Sequence, residues 1–360
     1  MSFKSFITSL PLLWSSVRAF PAGPGFPNNR SSVVNDVSIQ AAYSLIDTYD
    51  ASNWLSKFDV QAIADPTRMW FEHQTMSEHA GLTFSDGFVN YVNQQQAQSQ
   101  GLIRMQNNQV YMGVDTTKVL NPNGVGRDSV RIQSKKAYNH ALVIADFAHI
   151  PGSNCGSWPA FWMVGPNWPN QGEIDIIEGV NLNSYNHVTL HSSPGCVPTV
   201  GPGGESGQRI GPADCGASGG YEGCGVQSTS PVSYGTPFNA NGGGVYAALW
   251  TGSGIKVWNF ATRDVPANIR SGNPDPNSWG QPTANFAGCN FDSKFSNQNI
   301  VSPRKLRRRK HHHADDTQIF DITFCGDWAG SVWGSSSCAS INPSCNAYVA
   351  SQPQSFVEVS

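Results

Sequence analysis

Along most of the chain, apolar and polar residues alternate with the period of two that puts successive side chains on opposite faces of a β-strand. The alternation begins near Ala42 and runs to Asp47. It returns from Phe88 to Val92, Gln109 to Val114, Ser129 to Ile132 and Ala141 to Asp146. Later stretches are Val188 to His191, Val245 to Trp250, Ile255 to Phe260 and Phe320 to Phe324. Turn residues such as Pro122-Asn123-Gly124 separate them. No helical period is long enough to cover a sheet, so sheet must pack on sheet. The expected fold class is all-β, a jelly-roll sandwich of two antiparallel sheets. A Gly/Ser-rich span, 200–244, holds Cys215 and Cys224 and reads as a long disulfide-stapled loop rather than a separate domain. No internal repeat is visible.

One strand stands out, Glu173-Ile174-Asp175-Ile176-Ile177-Glu178. Its isoleucines favour the pleated strand over helix. In a regular strand Glu173 and Asp175 share a face while Glu178 points the other way. One extra residue in a β-bulge between Asp175 and Glu178 would return it to their face. Acids on a strand are ordinarily a solvated edge, but these alternate with isoleucine and follow a tryptophan cluster, Trp158, Trp162 and Trp168. A sugar ring packs its C–H face on an aromatic ring and offers hydroxyls to polar groups, so acids beside tryptophans suggest glycoside chemistry. Two carboxyls flanking a glycosidic bond are the common apparatus for its hydrolysis.

Composition narrows the remaining choices. A chain of 360 residues can form one large all-β domain. Only 13% of residues are charged and the formal charge is −3, which leaves no case for a nucleic-acid partner. The eight cysteines lack the paired close spacing of a zinc site, so disulfides in an oxidising compartment are expected, in any of 105 connectivities. Lys4, the apolar stretch Phe6 to Trp14 and the small residues around Ala19 suggest an export signal at residues 1–19, followed by a Pro-rich linker at 20–41. No later run approaches the roughly 18 apolar residues of a membrane span. A secreted, extracellular, soluble monomer is expected.

The chain resembles glycoside hydrolase family 16, specifically the fungal laminarinase-like endo-1,3(4)-β-glucanases. The stretches that carry the resemblance are WPAFWMVGPNWPNQGEIDIIEGVN (158–181), TLHSSPGC (189–196) and FCGDWAGSVW (324–333), with GFVNYV (87–92), YMGVD (111–115) and GRDSVRI (126–132). The resemblance covers about Ala42 to the C-terminus and implies a concanavalin-like jelly roll, which agrees with the strand pattern. It implies a retaining mechanism with Glu173 as nucleophile, Asp175 as its assistant and Glu178 as acid/base. His191 would hydrogen-bond within this cluster, and Trp162, Trp168 and Trp328 would wall the sugar subsites. It implies no cofactor and no metal. The substrate would be β-1,3-glucan, with tolerance for mixed β-1,3/1,4 or 1,6-branched chains. A wall-remodelling transglycosylase would use the same acids, and a non-catalytic glucan-binding sandwich would typically lack them.

Two segments depart from the family pattern. Relatives read Asp-Pro-Thr directly into His-Gly-Phe-Val, whereas here Asp65-Pro66-Thr67 leads into 68–86 before Gly87-Phe88-Val89. The second, 301–318, holds the basic run Arg304 to Lys310 and then His311, His312 and His313. Alone these would suggest a polyanion or metal site, which suits an exported low-charge protein badly. Both segments are compatible with unspliced introns translated in frame. Arg68-Met69-Trp70 and Val301-Ser302 can be encoded through a splice donor, and Ser85-Asp86 and Gln318 through an acceptor.

Overall fold

The computed structural model describes residues 43–62, 87–296 and 318–359, together with the backbone of the strand Trp14–Pro21. Two antiparallel sheets face each other, the sandwich expected from the alternation. The eight-stranded sheet runs Gln208–Ile210, Cys224–Gln227, His187–His191, Glu173–Glu178, Ser157–Val164, Gln318–Phe324, Arg131–Ser134, Phe58–Val60. In the nine-stranded sheet Gly244–Thr251 lies between Gly254–Ala261 and Ala141–Phe147. Helices among the described residues are short, the longest being Cys345–Ser351.

The core lies between the sheets because each strand sends every second side chain inward. Phe161 stacks on Phe320 with ring centroids 4.4 Å apart, and Phe147 meets Phe161 edge-on at 5.7 Å. Ile174, Ile176, Ile177, Val188 and Leu190 fill the same layer. Each such side chain, fully buried, contributes about 1.5–3 kcal/mol. A second cluster, including Phe324, Trp333, Val349 and Phe356, packs beneath the C-terminal helices. Disulfides Cys155–Cys338 and Cys325–Cys345 tie it to the sheet, while Cys196–Cys289 and Cys215–Cys224 fasten loops.

Some local expectations are corrected. The first alternating stretch forms a strand only at Asp47–Tyr49, with Tyr43 to Ile46 irregular. The 200–244 span is not all loop. It contains Gln208–Ile210 and Cys224–Gln227, which pair with each other, and the second also pairs with His187–His191. Sheet partners there override a glycine-rich sequence. The backbone of Trp14–Pro21 lies between Ala141–Phe147 and Gln109–Met112, across residue 19, where the export signal was expected to end. The segments 68–86 and 301–317 lie outside the described residues.

Candidate active site

The acid strand carries the bulge its sequence requires. Asp175 pairs with Thr189 and Glu178 with His187, so three steps on one strand meet two on the other. On its other side Ile177 pairs with Phe161 and Asp175 with Trp162, which leaves Ile176 as the extra residue. Ile176 and Ile177 consequently both enter the core, and Glu173, Asp175 and Glu178 all face one cleft. The cleft has a volume of about 610 Å³, and all seven residues singled out from the sequence line it: Trp162, Trp168, Glu173, Asp175, Glu178, His191 and Trp328.

Each glutamate accepts a hydrogen bond from an indole. Trp168 Nε1 donates to Glu173 Oε2 at 2.6 Å, and Trp158 Nε1 to Glu178 Oε1 at 2.8 Å. Asp175, 2% exposed, lies between them with Oδ2 3.2 Å from His191 Nε2. His191 Nδ1 is 2.6 Å from the carbonyl oxygen of Gly220. A carbonyl can only accept, so Nδ1 carries a proton, and Nε2 faces the Asp175 carboxyl, an ion pair when the ring is charged. Burial opposes that charge, but the hydrogen bond to Asp175 and the charges of Glu173 and Asp175 outweigh it and raise the pKa to about 10.

Both glutamates are also raised, above the range of ordinary carboxyls. Burial is the larger cause and the charge of Asp175 the second; together they raise Glu173 to about 8 and Glu178 well above its usual range. The charge of Glu173 is itself among the causes that raise Glu178, so ionising Glu173 tightens the hold of Glu178 on its proton. Such a pair, with one carboxyl ionising before the other, can supply a nucleophile and an acid side by side.

The walls explain which residues the sequence did not reveal. Trp168 meets Tyr221 edge-on at 5.0 Å near Glu173, and Trp158 meets Trp328 edge-on at 5.9 Å near Glu178. Trp162 is only 7% exposed; its indole donates to Asp321 Oδ1 at 2.9 Å and Arg131 lies over its ring at 4.9 Å. It is cleft floor more than wall. Arg131, Asp321, His187 and Tyr221 line the cleft without having been singled out. Trp158, named with Trp162 and Trp168 in the tryptophan cluster, shares their cleft because it lies four residues before Trp162 on the same strand face. Arg131 and Asp321 meet only through strand register, and Tyr221 arrives on the disulfide-closed 215–224 loop, so none of the three carried a local signal.

The loop is seated closely. Gly223 has φ of +65°, and a Cβ there would lie 2.7 Å from the ring of His191. Only glycine allows this approach.

Comparison with known proteins agrees with the fold. A family model described as "XgeA-like, catalytic GH16 domain" matches residues 81–360. The chain is 40% identical over 339 residues to a probable endo-1,3(4)-beta-glucanase of Aspergillus fumigatus, covering 91% of this chain and 46% of that protein. It thus spans about half the length of the curated relatives it matches. Among solved structures, an elongating family 16 beta-1,3-glucosyltransferase is 39% identical with a TM-score of 0.73, over 88% of this chain and 96% of that one. Laminarinase 16A from Phanerochaete chrysosporium, solved with 6-O-glucosyl-laminaritriose in donor and acceptor sites, is 36% identical with a TM-score of 0.71, over 89% and 96%. The resemblance read from the motifs holds, and the chain belongs to glycoside hydrolase family 16.

Proposed function

We propose that this chain is a secreted, monomeric endo-β-glucanase that hydrolyses β-1,3-glucan, including mixed β-1,3/1,4 and 1,6-branched chains, with retention of anomeric configuration. The observation that carries the reading is the bulge, which brings Glu173, Asp175 and Glu178 onto one cleft face between two aromatic walls. Glu173 attacks the anomeric carbon as Glu178 protonates the departing glycosidic oxygen. Glu178, now ionised, then takes a proton from the water that releases the sugar from Glu173. Asp175 assists Glu173, while burial and then the charge of Asp175 keep Glu178 protonated, with His191 acting against that charge. Trp162, Trp168 and Trp328 hold sugar rings along the cleft, with His191 anchoring the acid cluster. The chemistry needs no cofactor or metal.

A second reading, transfer to a sugar acceptor, is favoured by the likeness to the elongating glucosyltransferase. Incubation with laminarin and sizing of the products separates them. Shorter products with first-formed β-anomers are expected; longer products mean transfer, and α-anomers would contradict retention. A non-catalytic glucan binder is disfavoured by the presence of all three acids. Loss of turnover in Glu173→Gln with binding retained supports the nucleophile assignment, and unchanged turnover contradicts it.

Export is supported by four disulfides, which persist in oxidising compartments. Cleavage after Ala19 would sever the strand Trp14–Pro21, so N-terminal sequencing of the exported protein is decisive: a start at Phe20 or beyond supports the leader, and a start before Trp14 supports the strand. Residues 68–86 and 301–318 are proposed to be retained introns within a catalytic domain of residues 42–360. A cDNA lacking both segments is expected, and transcripts retaining them would contradict this.

A further inference from the structure

The bulge that delivers Glu178 to the cleft also removes backbone partners. An extra residue on one strand interrupts the ladder and leaves amide and carbonyl groups unpaired in the interior. Leaving one buried and unsatisfied is costly, because its hydration is lost with nothing in return. Here both orphaned groups find the same side chain. The N–H of Glu178 donates to Asn186 Oδ1 at 3.0 Å, and Asn186 Nδ2 donates to the carbonyl oxygen of Ile176 at 2.9 Å. The two partners fix the orientation of the amide, because one can only donate and the other only accept.

Asn186 is itself held on both sides. It is 1% exposed; its backbone N–H donates to Ser233 Oγ at 3.1 Å, and its carbonyl accepts from the Ser228 N–H at 2.8 Å. Ser233 in turn donates to the carbonyl of Ser230 at 2.8 Å. Asn186 does not line the cleft, so it has no route to the substrate.

We propose that Asn186 is a positioning residue for the proton donor: by bridging Ile176 and Glu178 across the bulge, it fixes the direction in which the Glu178 carboxyl meets the glycosidic oxygen. This rests on the reading of Glu178 as the acid. Aspartate would replace only the acceptor half of the bridge and alanine neither half.

The test separates protonation from binding by changing the leaving group. A glucan leaving group needs a proton from Glu178, whereas dinitrophenolate leaves without one. General-acid assistance is worth about 10²–10⁴-fold. Asn186→Ala is expected to lose about 10²-fold in kcat on laminarin with KM nearly unchanged, while glycosyl-enzyme formation from 2,4-dinitrophenyl β-laminaribioside stays close to wild type. Ser233→Ala, a milder change that keeps the bridging amide, should show the same signature at smaller amplitude if Asn186→Ala fails to fold. Glu178→Ala is the reference, and azide should restore its turnover of the dinitrophenyl substrate. If Glu178→Ala shows no dependence on leaving group, the acid assignment beneath the proposal falls. If it does and the Asn186 and Ser233 variants lose equally on both substrates, Asn186 has no positioning role.

Discussion

Asp321→Asn isolates the polar network on the cleft floor. Asp321 is 8% exposed and accepts from Trp162 Nε1 at 2.9 Å, Tyr91 Oη at 2.9 Å and Arg131 Nη1 at 3.2 Å. Arg131 is 7% exposed, and its other hydrogen bond among the described residues, from Nε to Gln61 Oε1 at 2.9 Å, is to a neutral group. The substitution is nearly isosteric, so packing is preserved and the loss is electrostatic. It leaves a buried guanidinium without its counter-charge, a situation that costs about 3–5 kcal/mol. It also replaces one acceptor oxygen by a donor, which would face either the Trp162 indole or Arg131. Urea unfolding of Asp321→Asn should therefore show a loss of about 3–5 kcal/mol. Arg131→Met should cost less, because the stranded carboxylate keeps two donors. The double variant should cost less than the sum, with a coupling of about 1–3 kcal/mol. A loss below about 1 kcal/mol in Asp321→Asn, with additive single changes, would refute the buried pair as the element that fixes Trp162.

Three further changes probe the acids. Asp175→Asn removes the charge that, after burial, raises both glutamates, so both limbs of the pH–rate profile should move to lower pH by about 1; a move to higher pH contradicts the assignment. Trp168→Phe removes the indole donor that stabilises ionised Glu173, so the acid limb should rise and kcat/KM should fall about 10-fold or more, since a hydrogen bond to a charged group is worth about 1.5–3 kcal/mol. An unmoved acid limb counts against it. Gly223→Ala forces a left-handed backbone on alanine, costing about 1–2 kcal/mol, and drives a methyl against His191; denaturant unfolding and activity should both suffer, and a silent change would show that the loop does not bear on His191.

The sandwich was legible because alternation is a local property: Ala141–Phe147, Gly244–Thr251 and Gly254–Ala261 match the expected strands to within a residue at either end. The acids were legible for the same reason, since six residues with three isoleucines and three carboxylates cannot place all the acids on one face without a bulge. The residues around them were less so. Asp321 comes under Trp162 because the strand Gln318–Phe324 pairs with both Ser157–Val164 and Arg131–Ser134, a register that no local pattern encodes. Asn186 precedes a short strand in an unremarkable loop, and its value appears only once the bulge has created groups for it to satisfy. The Cys224–Gln227 strand was hidden because its propensity is poor and its partners, His187–His191 and Gln208–Ile210, supply the order.

The assignment of Glu173 as the nucleophile is tested most directly by trapping it. A 2-deoxy-2-fluoro β-laminaribiosyl fluoride forms the glycosyl-enzyme but slows its breakdown, and peptide mapping by mass spectrometry then locates the sugar. One disaccharide per chain, esterified to Glu173, is the expected result. A label on Asp175 or Glu178, or no covalent label while the enzyme turns over laminarin, would contradict the account.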